Sequence, residues 1–433
     1  MALKTEKKQL GKGLHSTNIY LDKFKSNYLA FYIIRPLNRE EVTMNALLPM
    51  VLNQASKNYS NKLVLERKLE ELYGANLSIS TSKRGERQVI KFSIEWADEK
   101  YTNAESFDDE VFNLFKEVIY DPYLIDGEFS PKYVEGEKKN LANKINNKIN
   151  DKRSYAITRC IEEMCKAESF SIYKDGYLED LEKISPQALT DHYEKVLMTS
   201  QIEIIYTGNK KELSLDKLIP QKYLNRESID FVRREEILSK PYVKNQIVEK
   251  LDVTQGKIVL GFRTRIAYEM DLYPALLLAN ELLGGGPNSK LFKDVREKHS
   301  LAYYVTSNIV KHKSLMILDA GIEFQNYNKT IELINQNIKE LQEGNFSDED
   351  LSIAKRALRT SSESIVDSAK LISEFYFSNF VTNETRELEE ILQAIDNVSK
   401  DQIIEAINTL NLDTIYFMKA SGEEENNEPD KEW

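Results

Sequence analysis

Two residue types that build metal and redox sites are nearly missing from this chain of 433 residues, which has 2 cysteines and 4 histidines. Cys160 and Cys165 stand five apart in a stretch with helical periodicity, Tyr155 to Ala167. That spacing turns them about 140° apart around a helix, which argues against a disulfide between them and fits a reducing compartment. No two of His15, His192, His299 and His312 are four apart, so the chain has no local helical zinc motif. No apolar run approaches the roughly 18 residues of a membrane-crossing helix, and the N-terminus lacks the charged, then apolar, then small-residue order of a secretory signal. A cytoplasmic protein is expected. A surplus of positive charge is also absent: 59 Lys and Arg face 70 Asp and Glu, a net charge of −11, which argues against nucleic acid or an anionic membrane as the main partner. No G-x-S-x-G elbow and no paired Cys and His are found, which leaves an independent hydrolase with its own nucleophile the weakest reading.

What is there belongs to a globular protein: 41% hydrophobic and 30% charged residues, on a chain long enough for about two to four compact units. Residues 1–16 read as a flexible or edge segment. Asn18 to Tyr20 and Tyr28 to Ile34 read as strands, Thr43 to Gln54 as a helix containing Pro49, and Asn61 to Leu72 as a second helix closed by Gly74. Strands over Asn76 to Ser82 and Gln88 to Trp96 flank a turn at Lys83, Arg84 and Gly85. Helical patterns follow near Asp108 to Ile119, Pro131 to Ile149 and Tyr155 to Ala167. A helix capped by Ser185, with Pro186 in its first turn, then leads to a strand from Gln201 to Thr207. The same order returns in the second half. Ile184-Ser185-Pro186-Gln187 through Ile204-Ile205-Tyr206 is paralleled by Val398-Ser399-Lys400-Asp401 through Thr414-Ile415-Tyr416, and Leu77-Ser78-Ile79-Ser80 by Tyr304-Val305-Thr306-Ser307. Two related α+β modules are expected, at 1–208 and 244–420, with a charged linker at 209–243 and a disordered acidic tail at 421–433.

The densest signal is Leu282 to Val305, LLGGGPNSKLFKDVREKHSLAYYV. Gly284, Gly285, Gly286 and Pro287 cannot continue the apolar helix before them. Ser289 suits the N-cap of a helix from Lys290 to about Lys298, with Leu291, Phe292 and Val295 on its apolar face. Leu301 to Val305 reads as a buried strand. Taken singly, Arg296 is a solvated surface charge and Tyr303 a core residue. His299 and His312, with no carboxylate or second His at ligand spacing, read as surface or loop residues.

This stretch resembles the C-terminal-half signature of the insulinase, pitrilysin and mitochondrial processing peptidase family, L-G-G-G-x-x-S-x-L-F-x-x-V-R-E-x-x-x-L-A-Y. The resemblance implies two domains, each a mostly antiparallel sheet with helices on one face, closed on each other as a clam shell around a chamber. In the family the Arg and the Tyr seven residues later reach toward a zinc site and hold the substrate near its scissile carbonyl, which assigns that role to Arg296 and Tyr303. Planar guanidinium donors suit a carbonyl, and a phenol can donate one hydrogen bond to a developing oxyanion. Active members carry His-x-x-Glu-His in the first long helix, where two His bind zinc and the Glu activates the bound water. Here those positions fall on Ala46, Pro49 and Met50, and the later carboxylate ligand falls near Lys144, with Glu135 and Glu137 close by. None of the three motif residues binds zinc or moves a proton.

A chain with the Arg/Tyr pair and without the zinc groups resembles the non-catalytic subunit of the family's two-subunit members. That implies a heterodimer with a zinc-bearing paralogue, zinc in the partner and none in this chain, and a peptide or small protein as substrate. A homodimer of this chain alone stays open. Gly284, Gly285, Gly286 and Asn288 have two readings: a turn that permits close packing, or a mobile loop that touches the incoming peptide. The rival to the heterodimer is an inert structural or peptide-binding protein of the same fold.

Overall fold

The computed structural model describes residues 3–421 except 104–105, 211–212, 227–228, 231, 233–234, 236 and 239–244. The strands are β1 (Lys4–Gly11), β2 (Leu14–Tyr20), β3 (Ser26–Pro36), β4 (Asn76–Arg84), β5 (Arg87–Ala97), the short pair β6 (Leu124–Ile125) and β7 (Glu128–Phe129), β8 (Gln201–Gly208), β9 (Asn245–Leu251), β10 (Gly256–Arg263), β11 (Ala302–Val310), β12 (Leu315–Ile322) and β13 (Asn411–Ala420). The helices are α1 (Val42–Leu52), α2 (Lys62–Glu71), α3 (Phe107–Tyr120), α4 (Pro131–Asn146), α5 (Lys152–Met164), α6 (Leu178–Leu181), α7 (Pro186–Thr199), α8 (Gln221–Leu224), α9 (Tyr273–Asn280), α10 (Tyr327–Gln342), α11 (Asp348–Glu363), α12 (Ala369–Thr382), α13 (Leu388–Asp396) and α14 (Lys400–Asn408).

The first unit is built on the sheet β1-β2-β8-β3-β5-β4, antiparallel except for the β2/β8 pair. Along β3 every residue from Asn27 to Arg35 is buried, as an apolar run of both parities requires when a sheet is covered on both faces. Leu29, Phe31 and Ile33 pack with Ile202, Ile204 and Tyr206 against α1, α2, α3, α4 and α7. Tyr28, Ala30 and Tyr32 face the other way, against α12. The Tyr32 ring stacks on Phe377 at 3.8 Å, and Lys91 and Arg84 pair with Glu374 at 2.6 and 3.0 Å.

The second unit repeats this plan. Its sheet runs β11-β12-β10-β13-β9, with β13/β9 as its one parallel pair. Strand for strand, β9, β13, β10, β12 and β11 occupy the places of β2, β8, β3, β5 and β4, and β1 is an additional edge strand. The capped helices expected before β8 and β13 are present: Ser185 accepts from the Ala188 N–H and Ser399 from the Gln402 N–H. One face of the sheet carries Ile258, Leu260, Leu318 and Phe417 against α9, α10, α13 and α14. The other carries Val259, Ile317, Tyr416 and Met418 against Ala156, Cys160 and Met164 of α5. A Cβ on Gly261 would meet the Met164 sulfur at 2.6 Å, so α5 lies close over that glycine. Cys160 and Cys165 are both free and buried.

The compact units are interleaved in sequence rather than sequential. The first comprises 1–147, 172–234 and 365–385, the second 148–171, 235–364 and 386–433. Helix α5 therefore leaves the first half of the chain to cover the second unit's sheet, and α12 makes the reciprocal move. Within the segment expected to be a linker, a short helical turn at Leu215–Leu218 and α8 belong to the first unit, with Leu215, Leu218 and Tyr223 buried in its core. The tail from residue 422 onward lies outside the described residues. Among the described residues no helix is long and apolar enough to cross a membrane.

Candidate functional site

The zinc-motif positions of the first unit sit on α1, where they serve the core. Ala46 is 3% exposed, Pro49 is buried and Met50 is partly buried against the same cluster. Asn45, one position before Ala46, instead joins a buried polar chain. Its Oδ1 accepts from His192 Nε2 at 2.7 Å, and its Nδ2 donates to Gln88 Oε1 at 3.0 Å. Burial pushes His192 down to about 4, against the raising influence of Glu41, so the imidazole is neutral at pH 7. On α4, which packs against α1, Glu137 accepts from Gln54 and Asn140 at 3.0 and 2.9 Å, and burial raises its carboxyl. Lys144, at the expected place of the later ligand, pairs with the buried Asp175 at 2.8 Å. Among the described residues no group of three or more His, Cys, Asp or Glu could hold a metal ion. The side chains present do not fit zinc.

The second unit holds the other half of the expected site, in an irregular stretch. A π-helical turn spans Glu281–Gly285, and a second spans Phe292–Lys298. Widened turns of this kind occur mostly as single bulges in helices, frequently at functional sites. Ser289 caps the second helix, its Oγ accepting from the Phe292 N–H at 3.4 Å. Leu291 and Val295 are fully buried beneath it. The helix closes with wide hydrogen bonds, His299 N–H to the Asp294 carbonyl at 3.1 Å and Leu301 N–H to the Val295 carbonyl at 3.0 Å. Ser300 takes a left-handed conformation, φ 52°, before the chain enters β11.

Arg296 leaves this helix into solvent, its guanidinium carbon 4.6 Å from the Phe292 ring centre. It makes no hydrogen bond or ion pair among the described residues, so its five donors are uncommitted. Tyr303 lies on an edge strand. The expectation of a buried strand over Leu301 to Val305 is corrected: β11 has one neighbour, β12, and Tyr303 is 52% exposed. The physical reason is a β-bulge. Ala302 pairs with Ile322 and Tyr304 with Gly321, which leaves Tyr303 as the extra residue, turned outward. Its hydroxyl reaches Glu323 at 3.4 Å. No direct contact joins Arg296 to Tyr303; they are two separately exposed groups on consecutive elements.

Close approach of backbone explains Gly284, and none of the three takes a left-handed φ. A Cβ on Gly284 would lie 2.8 Å from both the N and the Oγ of Ser307 on β11. On Gly285 and Gly286 it would meet the Glu281 carboxylate at 2.4 and 2.9 Å. Glu281 is thus folded back over the triplet, with its carboxyl raised by burial, a feature the sequence reading did not single out. Asn288 lines a surface pocket of about 290 Å³ with Leu282, Lys293, Asp294 and Asn337. His299 sits at the helix end, its Nδ1 2.9 Å from the Asp294 carbonyl, and His312 lies on the turn Lys311–Lys313.

The positions Ala46, Pro49 and Met50 of the first unit carry no metal-binding groups, and Arg296 and Tyr303 of the second are exposed. Residues 183–358 match the family profile described as "Peptidase M16 inactive domain". The chain is 32% identical, over 97% of its length and 99% of the relative's, to the "Probable inactive metalloprotease YmfF" of Bacillus subtilis. It is 22% identical to the "Non-peptidase homolog YmxG" of Helicobacter pylori, over 74% of this chain and 70% of that one. A crystal structure of a conserved protein from Enterococcus faecalis superposes with a TM-score of 0.89 at 27% identity, covering 97% of this chain and 100% of that one. The peptidase M16 inactive domain from Pseudomonas fluorescens superposes at 0.81 with 16% identity, covering 98% and 100%, a likeness of fold. The chain belongs to the M16 peptidase family, among its inactive, metalloprotease-like members.

Proposed function

We propose that this chain is the non-catalytic subunit of a two-subunit zinc metallopeptidase, presenting Arg296 and Tyr303 to a substrate held at the zinc site of a paralogous partner in the cytoplasm. The observation that carries the reading is the state of Arg296, an exposed cation with no hydrogen bond or ion pair among the described residues. Arg67 and Arg356 are exposed and without such partners among the described residues as well; what sets Arg296 apart is its place in the family signature. Arg296 is held over an aromatic ring with its donors outward. The partner's zinc would supply the activated water. Arg296 then donates to a peptide carbonyl and fixes the chain. The Tyr303 hydroxyl donates to the oxygen that gains charge as the tetrahedral intermediate forms. Of Gly284, Gly285, Gly286 and Asn288, the exposed Gly285 and Asn288 would offer backbone and amide groups to the peptide, while Gly284 is buried against Ser307. Nucleic acid and membrane play no part.

The inactive designations of the relatives favour a second reading, an inert structural or peptide-binding protein. Zinc content and peptidase activity of this chain, of a zinc-bearing paralogue and of their mixture separate the two. The subunit reading expects activity, with one zinc per pair, only on mixing. Arg296→Ala and Tyr303→Phe should then each lower turnover by about 10²-fold, the effect of removing one oxyanion donor, with assembly intact. A paralogue fully active without this chain, or unchanged turnover in both variants, would sink it.

A further inference from the structure

Two tyrosines stand side by side at the bulge, and a one-residue slip of β11 would exchange their places, because side chains alternate between the faces of a strand. Something must decide that Tyr303 points out and Tyr304 in. The Tyr304 ring lies flat on Gly321, where a Cβ would come within 2.4 Å of the ring's Cε1 and 3.0 Å of Cδ1. Above the ring stands the Arg153 guanidinium, 4.5 Å from its centre, with Lys257 Nζ at 5.4 Å. Arg153 is held in turn. Its Nε and one terminal nitrogen reach the two oxygens of the buried Asp319 at 2.5 and 3.1 Å, and the same nitrogen meets Thr306 Oγ1 at 2.9 Å. The Thr306 hydroxyl donates to Asp319 at 2.9 Å. The result is a slot of fixed thickness, floored by glycine backbone and roofed by a planar cation, which accepts an aromatic ring.

We propose that Arg153, Tyr304 and Gly321 are positioning residues that lock the β11 register and thereby set Tyr303 outward. The role of Tyr303 toward a peptide rests on the function proposed above; the lock itself does not. Arg153 reaches β11 from α5, the helix that crosses into this unit from the first half of the chain. Lysine could not replace it, since no planar fork would remain to grip Asp319 and cover the ring together.

The test uses the full chain alone, nitrated with tetranitromethane and read tyrosine by tyrosine by mass spectrometry. In the native protein Tyr303 is nitrated and Tyr304 protected. Tyr304→Leu empties the slot of its ring, so Tyr303 slips in and its nitration falls at least about five-fold. Tyr304→Phe keeps the ring and leaves Tyr303 nitration as in the native chain. Arg153→Ala, in a helix otherwise held by Ala156, Cys160 and Met164, narrows the contrast between the two tyrosines. Undiminished Tyr303 nitration in both Tyr304→Leu and Arg153→Ala overturns the lock, as does an equal loss in Tyr304→Phe. If a zinc-bearing partner confers activity, Arg153→Ala should lower kcat toward the Tyr303→Phe value, and the double variant should be no worse. Altered nitration without any peptidase activity would uphold the lock and defeat the subunit reading, so the two failures are distinguishable.

Discussion

Replacing Glu203 by Gln should stabilise the first unit at neutral and alkaline pH and leave it nearly unchanged near pH 5. Glu203 lies on β8, 1% exposed, on the face covered by α12. One carboxyl oxygen accepts the Thr17 hydroxyl at 2.6 Å; the other has no hydrogen-bond partner. Its cross-strand neighbours are His15 on β2 and Tyr32 on β3. Burial drives the carboxyl up to about 8, against the lowering influences of Thr17 and Lys7. The folded chain therefore keeps a proton that the unfolded chain releases above its ordinary 4.5. The stability this carboxyl contributes is full below 4.5 and is lost as pH climbs toward 8, at about 1.36 kcal/mol per pH unit, or roughly 5 kcal/mol across the window. Glutamine keeps the shape and a neutral amide, and has nothing to titrate.

The assay is urea unfolding at pH 5, 6.5 and 8, followed by the fluorescence of the buried Trp96 in a Trp433→Phe background, since the chain has 2 tryptophans. His192, on α7, titrates alike in both proteins and cancels in the difference. The variant's advantage should grow from near zero at pH 5 to about 4 kcal/mol at pH 8. An advantage that does not change between pH 5 and 8, or a less stable variant at pH 8, would refute the argument, because either result means the native carboxyl is already ionised and satisfied.

His192, depressed to about 4 by burial, has the opposite sign: its contribution is full above 6.5 and is lost as pH falls toward 4, about 3 kcal/mol in all, and His192→Gln should flatten that acid limb of the unfolding profile. Gly284→Ala forces a methyl against Ser307 and should cost about 1–3 kcal/mol of second-unit stability by denaturant titration; no measurable loss would favour a mobile loop over a packed turn. Fragments 1–238 and 239–433, made separately, each lack the helix that covers one sheet face, α12 for the first and α5 for the second. Each should bind a hydrophobic dye and aggregate alone, and should regain native circular dichroism on mixing; two independently soluble, cooperatively folding halves would contradict the exchange.

Local features of the sequence located most elements to within a few residues. Ser185 with Pro186, Ser399 and Ser289 mark helix starts because a cap is a contact between neighbours in the chain. The repeat was legible because each strand's apolar pattern returns in order. Pairings distant in sequence were not. The periodicity of α5, read over Tyr155 to Ala167, announces an amphipathic helix but not whose sheet it covers. The one available signal was the unbroken apolar run Tyr28 to Ile34, which requires a second covered face. The outward turn of Tyr303 depends on how β12 pairs with it, and the widened turns at Glu281–Gly285 and Phe292–Lys298 depend on bonds that no spacing rule encodes.

The two units also differ where their common plan gives no reason to differ. β4 pairs with β5 without interruption from Asn76 opposite Glu95 to Arg84 opposite Arg87, and α2 is a regular helix with its cap at Asn61. Their counterparts in the second unit are the bulged β11 and the π-helical segment that carries Arg296. Bulges and widened turns interrupt a ladder or a helix, and they are retained where they aim a side chain. The first unit has the regular elements and the emptied zinc positions Ala46, Pro49 and Met50; the second has the irregular elements and the exposed Arg296 and Tyr303. The bulge and the widened turn thus fall on the same elements as the exposed Arg296 and Tyr303, an arrangement that the proposed subunit role would use and that the turnover of Arg296→Ala and Tyr303→Phe in the presence of a zinc-bearing paralogue tests.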